Sequence, residues 1–108
     1  MEVCNNILYN NSYDFSSVIV CGLYDGIMMK GSNYINITFI SVKENKDIKK
    51  WFKSEKTKRY IKLLSASKKI NKRDLYFKLG KGYSPLLKGL YVHNLLAEHF
   101  CKWMEPNY

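Results

Sequence analysis

A chain of 108 residues suits one domain, and a composition that is 46% hydrophobic and 15% aromatic excludes a disordered polyelectrolyte. Its formal net charge of +9 comes from sixteen lysines and only two arginines, Arg59 and Arg73, and implies a polyanionic partner: DNA, RNA or an acidic membrane surface. Cys4, Cys21 and Cys101 are odd in number and widely spaced, which argues against a disulfide framework and for a reducing compartment.

Residues 1–16 are rich in Asn, Ser and Tyr without a clear period. They read as a loose arm or a poorly formed first strand, ahead of a single domain over residues 17–108. Ser17 to Tyr24 is β-branched and apolar and predicts a strand. Asp25-Gly26 predicts a two-residue hairpin turn, with Ile27 to Lys30 returning as the second strand. Gly31-Ser32-Asn33 breaks it, and Tyr34-Ile35 suits a short third strand. Asn36 is placed to cap a helix running to about Lys43, with Ile37, Phe39 and Ile40 facing a core. Asp47 to Lys53 carries Ile48, Trp51 and Phe52 at helical spacing. Ser54 and Glu55 would cap a helix over Ser54–Ala66, striped by Tyr60, Ile61 and Leu64. Asn71 followed by Asp74 resembles a capping box and predicts a further helix carrying Leu75 and Leu79, stopped by Gly80. Residues 80–92 predict a β-hairpin with a basic tip at Gly80-Lys81-Gly82-Tyr83. His93-Asn94 then caps a last helix with Leu95, Leu96, His99, Phe100 and Trp103 on its buried side, ended by Pro106. At this spacing Trp51, Tyr60 and Trp103 are core residues rather than stacking platforms for bases.

The charge is confined to the middle of the chain. Residues 1–42 sum to −2 and residues 82–108 to zero, whereas residues 43–81 hold fifteen of the eighteen basic side chains and sum to +11. Lysine acts as a point charge that suits phosphates, while the arginine fork suits base edges. The lysine excess therefore points to backbone binding more than to base reading.

Nothing in the sequence supports an enzyme. There is no phosphate-cradling glycine loop, and no carboxylates are paired at a spacing that suits acid/base or two-metal work. His93, His99 and Cys101 are offset on the last helix and lack a fourth ligand, so neither a metal nor any other cofactor is expected. His93 reads as a cap and His99 as a partly buried core residue. Glu2, Asn5 and Asn6 stand where a signal peptide would be basic, and the run from Val18 to Leu23 is too short to span a bilayer. The chain is expected to be soluble and intracellular, with no membrane partner.

Several segments resemble one family. Tyr34-Ile35-Asn36-Ile37-Thr38 resembles the opening Y-I-N-A/I-T motif of the KilA-N domain. Trp51 and Thr57 resemble its W-x5-T stretch. Gly89-Leu90-Tyr91-Val92-His93, Leu96-Ala97 and Trp103-Met104-Glu105-Pro106 resemble its closing G-x-Y-V-H…L-A…W-I-x-P pattern. Such domains occur in phage and large DNA viruses, and the poxviral members come nearest in composition. The resemblance implies an α+β fold: a small antiparallel sheet, a helix-turn-helix-like helical pair, a β-hairpin wing and a C-terminal helix. It implies a viral nucleic-acid-binding function inside the infected host cell, in cytoplasmic viral factories. Many poxviral members join this domain to a downstream RING finger. Phe39 departs from a common lysine, so the first helix loses one phosphate contact, and Asn94 departs from a common proline.

The expected ligand is duplex DNA, bound with limited sequence specificity through phosphate contacts from helices 47–66 and a wing at 80–92. Lys49, Lys50, Lys53, Lys56, Lys58, Arg59 and Lys62 would form a face pushed outward by the buried stripes. Lys68, Lys69, Lys72 and Arg73 would extend it, and Lys78, Lys81 and Lys88 would charge the wing. Arg59 is the leading candidate for a base-edge contact. RNA, or an acidic host or viral protein recruited by a basic adaptor, are the alternative partners. A homodimer would enlarge so small a footprint.

Overall fold

The computed structural model of the protein describes residues 9–10, 13–80 and 84–105. In chain order the strands β1 (Tyr9–Asn10), β2 (Tyr13–Val20), β3 (Tyr24–Met29) and β4 (Ile35–Asn36) precede the helices α1 (Ile37–Glu44), α2 (Ile48–Lys53) and α3 (Glu55–Lys68). A 3-10 turn (Lys72–Asp74), β5 (Tyr76–Leu79), β6 (Gly89–Val92) and α4 (Asn94–Met104) follow. The fold is α+β, as the sequence implies. All strands pair antiparallel, in the order β1-β2-β3-β4-β6-β5. Residues 13–16 thus belong to the long strand β2 rather than to an arm.

The sheet is buried on both faces because its strands alternate. Leu90 and Val92 of β6 join the larger core with Ile37, Ile40, Trp51, Ile61, Leu64, Leu96, Ala97 and Phe100 of the helices. Tyr91 points the other way, into a second cluster with Phe15, Ile27, Met29, Leu79 and Leu87. Each such large apolar side chain, taken fully out of water, contributes roughly 1.5–3 kcal/mol.

Two sequence expectations are corrected. The first hairpin does not turn at Asp25-Gly26, which lie within β3 opposite Ile19 and Val18. It turns at Cys21 (φ 55°) and Gly22 (φ 70°), where the Leu23 amide donates to the Val20 carbonyl at 3.1 Å. Successive positive φ values are what a tight hairpin of the right twist requires. Gly26 serves packing instead, since a Cβ there would meet Val20 Cγ2 at 2.7 Å. Second, the helix expected after Asn71 is a single 3-10 turn followed by β5, and neither Asn71 nor Ser54 makes a side-chain cap hydrogen bond. Leu75 is fully buried, and the β-favouring pair Tyr76-Phe77 finds Val92 and Tyr91 of β6 opposite it. The hairpin arms therefore lie at 76–79 and 89–92, earlier than the expected start at residue 80. The expected basic tip at Lys81 and Tyr83 lies outside the described residues.

The remaining helix starts follow their caps. Asn36 Oδ1 accepts from the Phe39 amide at 3.1 Å, Asp47 Oδ1 from Lys49 at 2.8 Å, and His93 Nδ1 from Leu95 at 3.1 Å. No helix among the described residues is long and apolar enough to cross a membrane.

Candidate nucleic-acid interface

The surface that matters is built by buried residues underneath it. Trp51 is fully buried, and its indole Nε1 donates to His99 Nδ1 at 3.1 Å. Its ring lies 5.2 Å from Phe100 in an edge-to-face contact and 4.9 Å from Phe52. Trp51 thus fixes α2 against α4 and turns Lys49, Lys50 and Lys53 to solvent. On α3, Thr57, Ile61 and Leu64 are buried, so Lys58, Arg59 and Lys62 take the outward side. Arg59 and Lys62 flank the exposed Leu63 around a shallow hollow of about 380 Å³.

Asn36 and Thr38 tie the front of α1 to the second hairpin. The Asn36 side chain is completely buried and donates from Nδ2 to the Lys88 carbonyl at 3.1 Å. Thr38 Oγ1 accepts from the Leu90 amide at 2.9 Å. Tyr34 donates its hydroxyl proton to the Asp74 carbonyl and packs on Phe77 at 5.4 Å. Together these residues hold the hairpin and the 3-10 turn against β4 and the start of α1.

A groove of about 750 Å³ results between α1–α2 on one side and the 3-10 turn with β5 on the other. Ile48, Phe52, Tyr76 and Leu90 supply an apolar lining, with Phe52 and Tyr76 meeting edge to face at 5.1 Å. Four basic residues from three elements also line it: Lys49 of α2, Lys72 and Arg73 of the 3-10 turn, and Lys78 of β5. No described carboxylate does.

The other basic residues expected at the site spread more widely. Lys50 and Lys53 are exposed on α2, and Lys69, in the left-handed C-cap of α3, and Lys88, just before β6, are exposed too. Lys56 and Lys58, two residues apart, project about 200° from each other around α3. The arc of about 160° between Lys58 and Lys56 on the side away from Thr57, Ile61 and Leu64 also holds Arg59 and Lys62. Burial holds the imidazoles of His99 and His93 below their ordinary basicity, helped by Lys102 and then Lys56 at His99 and by Lys68 at His93. Lys81 lies outside the described residues.

The sequence did not reveal the apolar lining as part of a surface. Ile48 and Phe52 read as core, and Tyr76 fell in an expected helix. The alternation through Tyr76-Phe77-Lys78-Leu79 was the available signal for a strand presenting Tyr76 and Lys78 together.

Comparisons with known proteins follow this geometry. The chain is 28% identical over 98 residues to a protein named for its KilA-N domain, L32 of Acanthamoeba polyphaga mimivirus. The match takes in 91% of the chain and 26% of that protein, so the chain spans about a quarter of this relative. No solved structure matches the chain. The model of the KilA-N domain family matches residues 21–108, which include the buried tie of Asn36 and Thr38 to Gly89 and Leu90 as well as the basic groove, and the chain belongs to the KilA-N domain family.

Proposed function

We propose that this domain binds nucleic acid, chiefly duplex DNA with limited sequence specificity, and acts by occupancy without catalysis. The observation that carries the reading is the convergence of Lys49, Lys72, Arg73 and Lys78 on one groove with no described carboxylate among its lining residues. Cations from three elements held by a common core form a preorganised seat for a phosphate backbone. Lys50 and Lys53 continue it along α2, and Lys58, Arg59 and Lys62 along the outer side of α3, in the manner of a helical pair beside a hairpin wing. Lysines outnumber arginines, so phosphate contacts supply most of the affinity and base reading little.

The test is a duplex titration across salt concentrations. With about six phosphates neutralised, log K falls against log salt with a slope of roughly −5. A slope near zero removes the electrostatic mechanism. Gel shifts with duplex DNA, single strands and RNA, set beside an acidic protein, separate the nucleic-acid reading from that of a basic adaptor.

A further inference from the structure

The groove has more than duplex phosphates need. A duplex presents sugars and phosphates on a convex outside and keeps its bases stacked within, so cations alone would suffice to hold it. Here the cations stand beside Ile48, Phe52, Tyr76 and Leu90, whose apolar surface a phosphate leaves unfilled. Phe52 and Tyr76, both half-buried, meet at an interplanar angle of 64° and form an apolar corner. The volume of about 750 Å³ lies in the range of sites that enclose small ligands.

The occupant that matches has a flat apolar body and an anionic flank. We infer that the groove seats an unpaired base of single-stranded DNA on Phe52 and Tyr76, while Lys49, Lys72, Arg73 and Lys78 hold the flanking phosphates. This rests on the nucleic-acid reading above and adds that the groove, beyond holding phosphates, takes an unpaired base. Aromatic platforms beside a cationic track are the pairing that binds single strands without regard to sequence. DNA is favoured over RNA because, with the four basic side chains engaged on phosphates, the lining offers a 2′-hydroxyl only the hydroxyls of Tyr76 and Thr38, and Thr38 already accepts from the Leu90 amide.

Fluorescence anisotropy with the intact chain tests this. The probes are oligodeoxythymidine of about 12 nucleotides, an abasic strand of equal length and charge, oligouridine and a duplex. Oligodeoxythymidine binds about tenfold tighter than the abasic strand, and tighter than oligouridine. Tyr76→Leu and Phe52→Leu each shrink the gap to the abasic strand, and a gap unchanged in both variants overturns the seat on these two rings. Equal binding of the thymidine and abasic strands by the wild-type chain overturns the base seat and leaves phosphate binding standing; this comparison needs no variant to fold. Tighter oligouridine binding overturns the assignment to DNA. Should no nucleic acid bind while an acidic peptide does, the base seat and the function proposed above fall together.

Discussion

Gly89 sits against Asn36 and Thr38 so closely that a Cβ would lie 2.6 Å from Asn36 Oδ1 and 2.6 Å from Thr38 Cβ, at a φ of +143°. Both the backbone conformation and the space demand glycine. Gly89→Ala therefore destabilises the domain by about 3 kcal/mol, combining backbone strain with overpacking, and thermal or chemical unfolding reads the loss. His99 offers a second residue-level test. Its Nδ1 accepts from Trp51, and its ring stacks on Tyr60 at 4.6 Å, so the folded state needs the neutral imidazole. Burial, then Lys102 and Lys56, hold its pKa below the usual 6.5. The unfolded chain consequently binds the proton more readily than the folded one. The stabilisation is full above pH 6.5, declines as pH falls through 6.5 toward the lower folded value, and levels off beneath that. His93, lowered by burial and Lys68, acts in the same direction. Melting temperature should drop on acidification through this window, and His99→Gln should flatten the profile. A flat wild-type profile would show that neither histidine is linked to folding.

At the scale of elements, the proposed binding surface lies on α2, α3 and β5, and charge reversal distinguishes its parts. Lys49→Glu/Arg73→Glu changes two residues that line the groove from opposite walls, and Lys58→Glu/Arg59→Glu changes the outer side of α3. All four are exposed, so the melting behaviour stays within about 0.5 kcal/mol of the parent in either variant. Duplex binding weakens in both, and the magnitude of the salt slope falls by about 2 for each pair that touches phosphate. An unchanged slope for one pair removes that element from the interface. The 3-10 turn and β5 were the elements hardest to read. Asn71 and Asp74 have the spacing of a helix start, yet the partner strand β6, more than ten residues later in the chain, decides the conformation. Local propensity yields there to a pairing that a short window does not contain.

For the molecule as a whole, fifteen basic residues drawn from residues 43–81 repel one another whenever no polyanion is bound. Among the described residues, Lys43 and Asp25 form an exposed ion pair at 3.1 Å, which does little to offset that load. Added salt should therefore raise the melting temperature of the free domain while it weakens DNA binding, and a melt insensitive to salt would mean the charges are too far apart to matter. Charge balance, the helix starts at Asn36, Asp47 and His93, the buried stripes through Trp51 and Phe100, and the family motifs are all legible in the linear chain, because each depends on composition or on neighbours within a few residues. The turn at Cys21-Gly22, the strand at 76–79 and the apolar lining beneath the cations are not: the turn follows the register of β2 on β3, which puts Asp25-Gly26 inside the strand, and the other two are fixed by partners distant in sequence, β5 against β6 and α2 against the 3-10 turn. The sequence by itself thus determines that the protein carries a concentrated positive charge on a packed α+β core. Only the tertiary structure decides which four of those charges meet around an aromatic-lined groove, because convergence in space follows long-range pairing and burial rather than spacing along the chain.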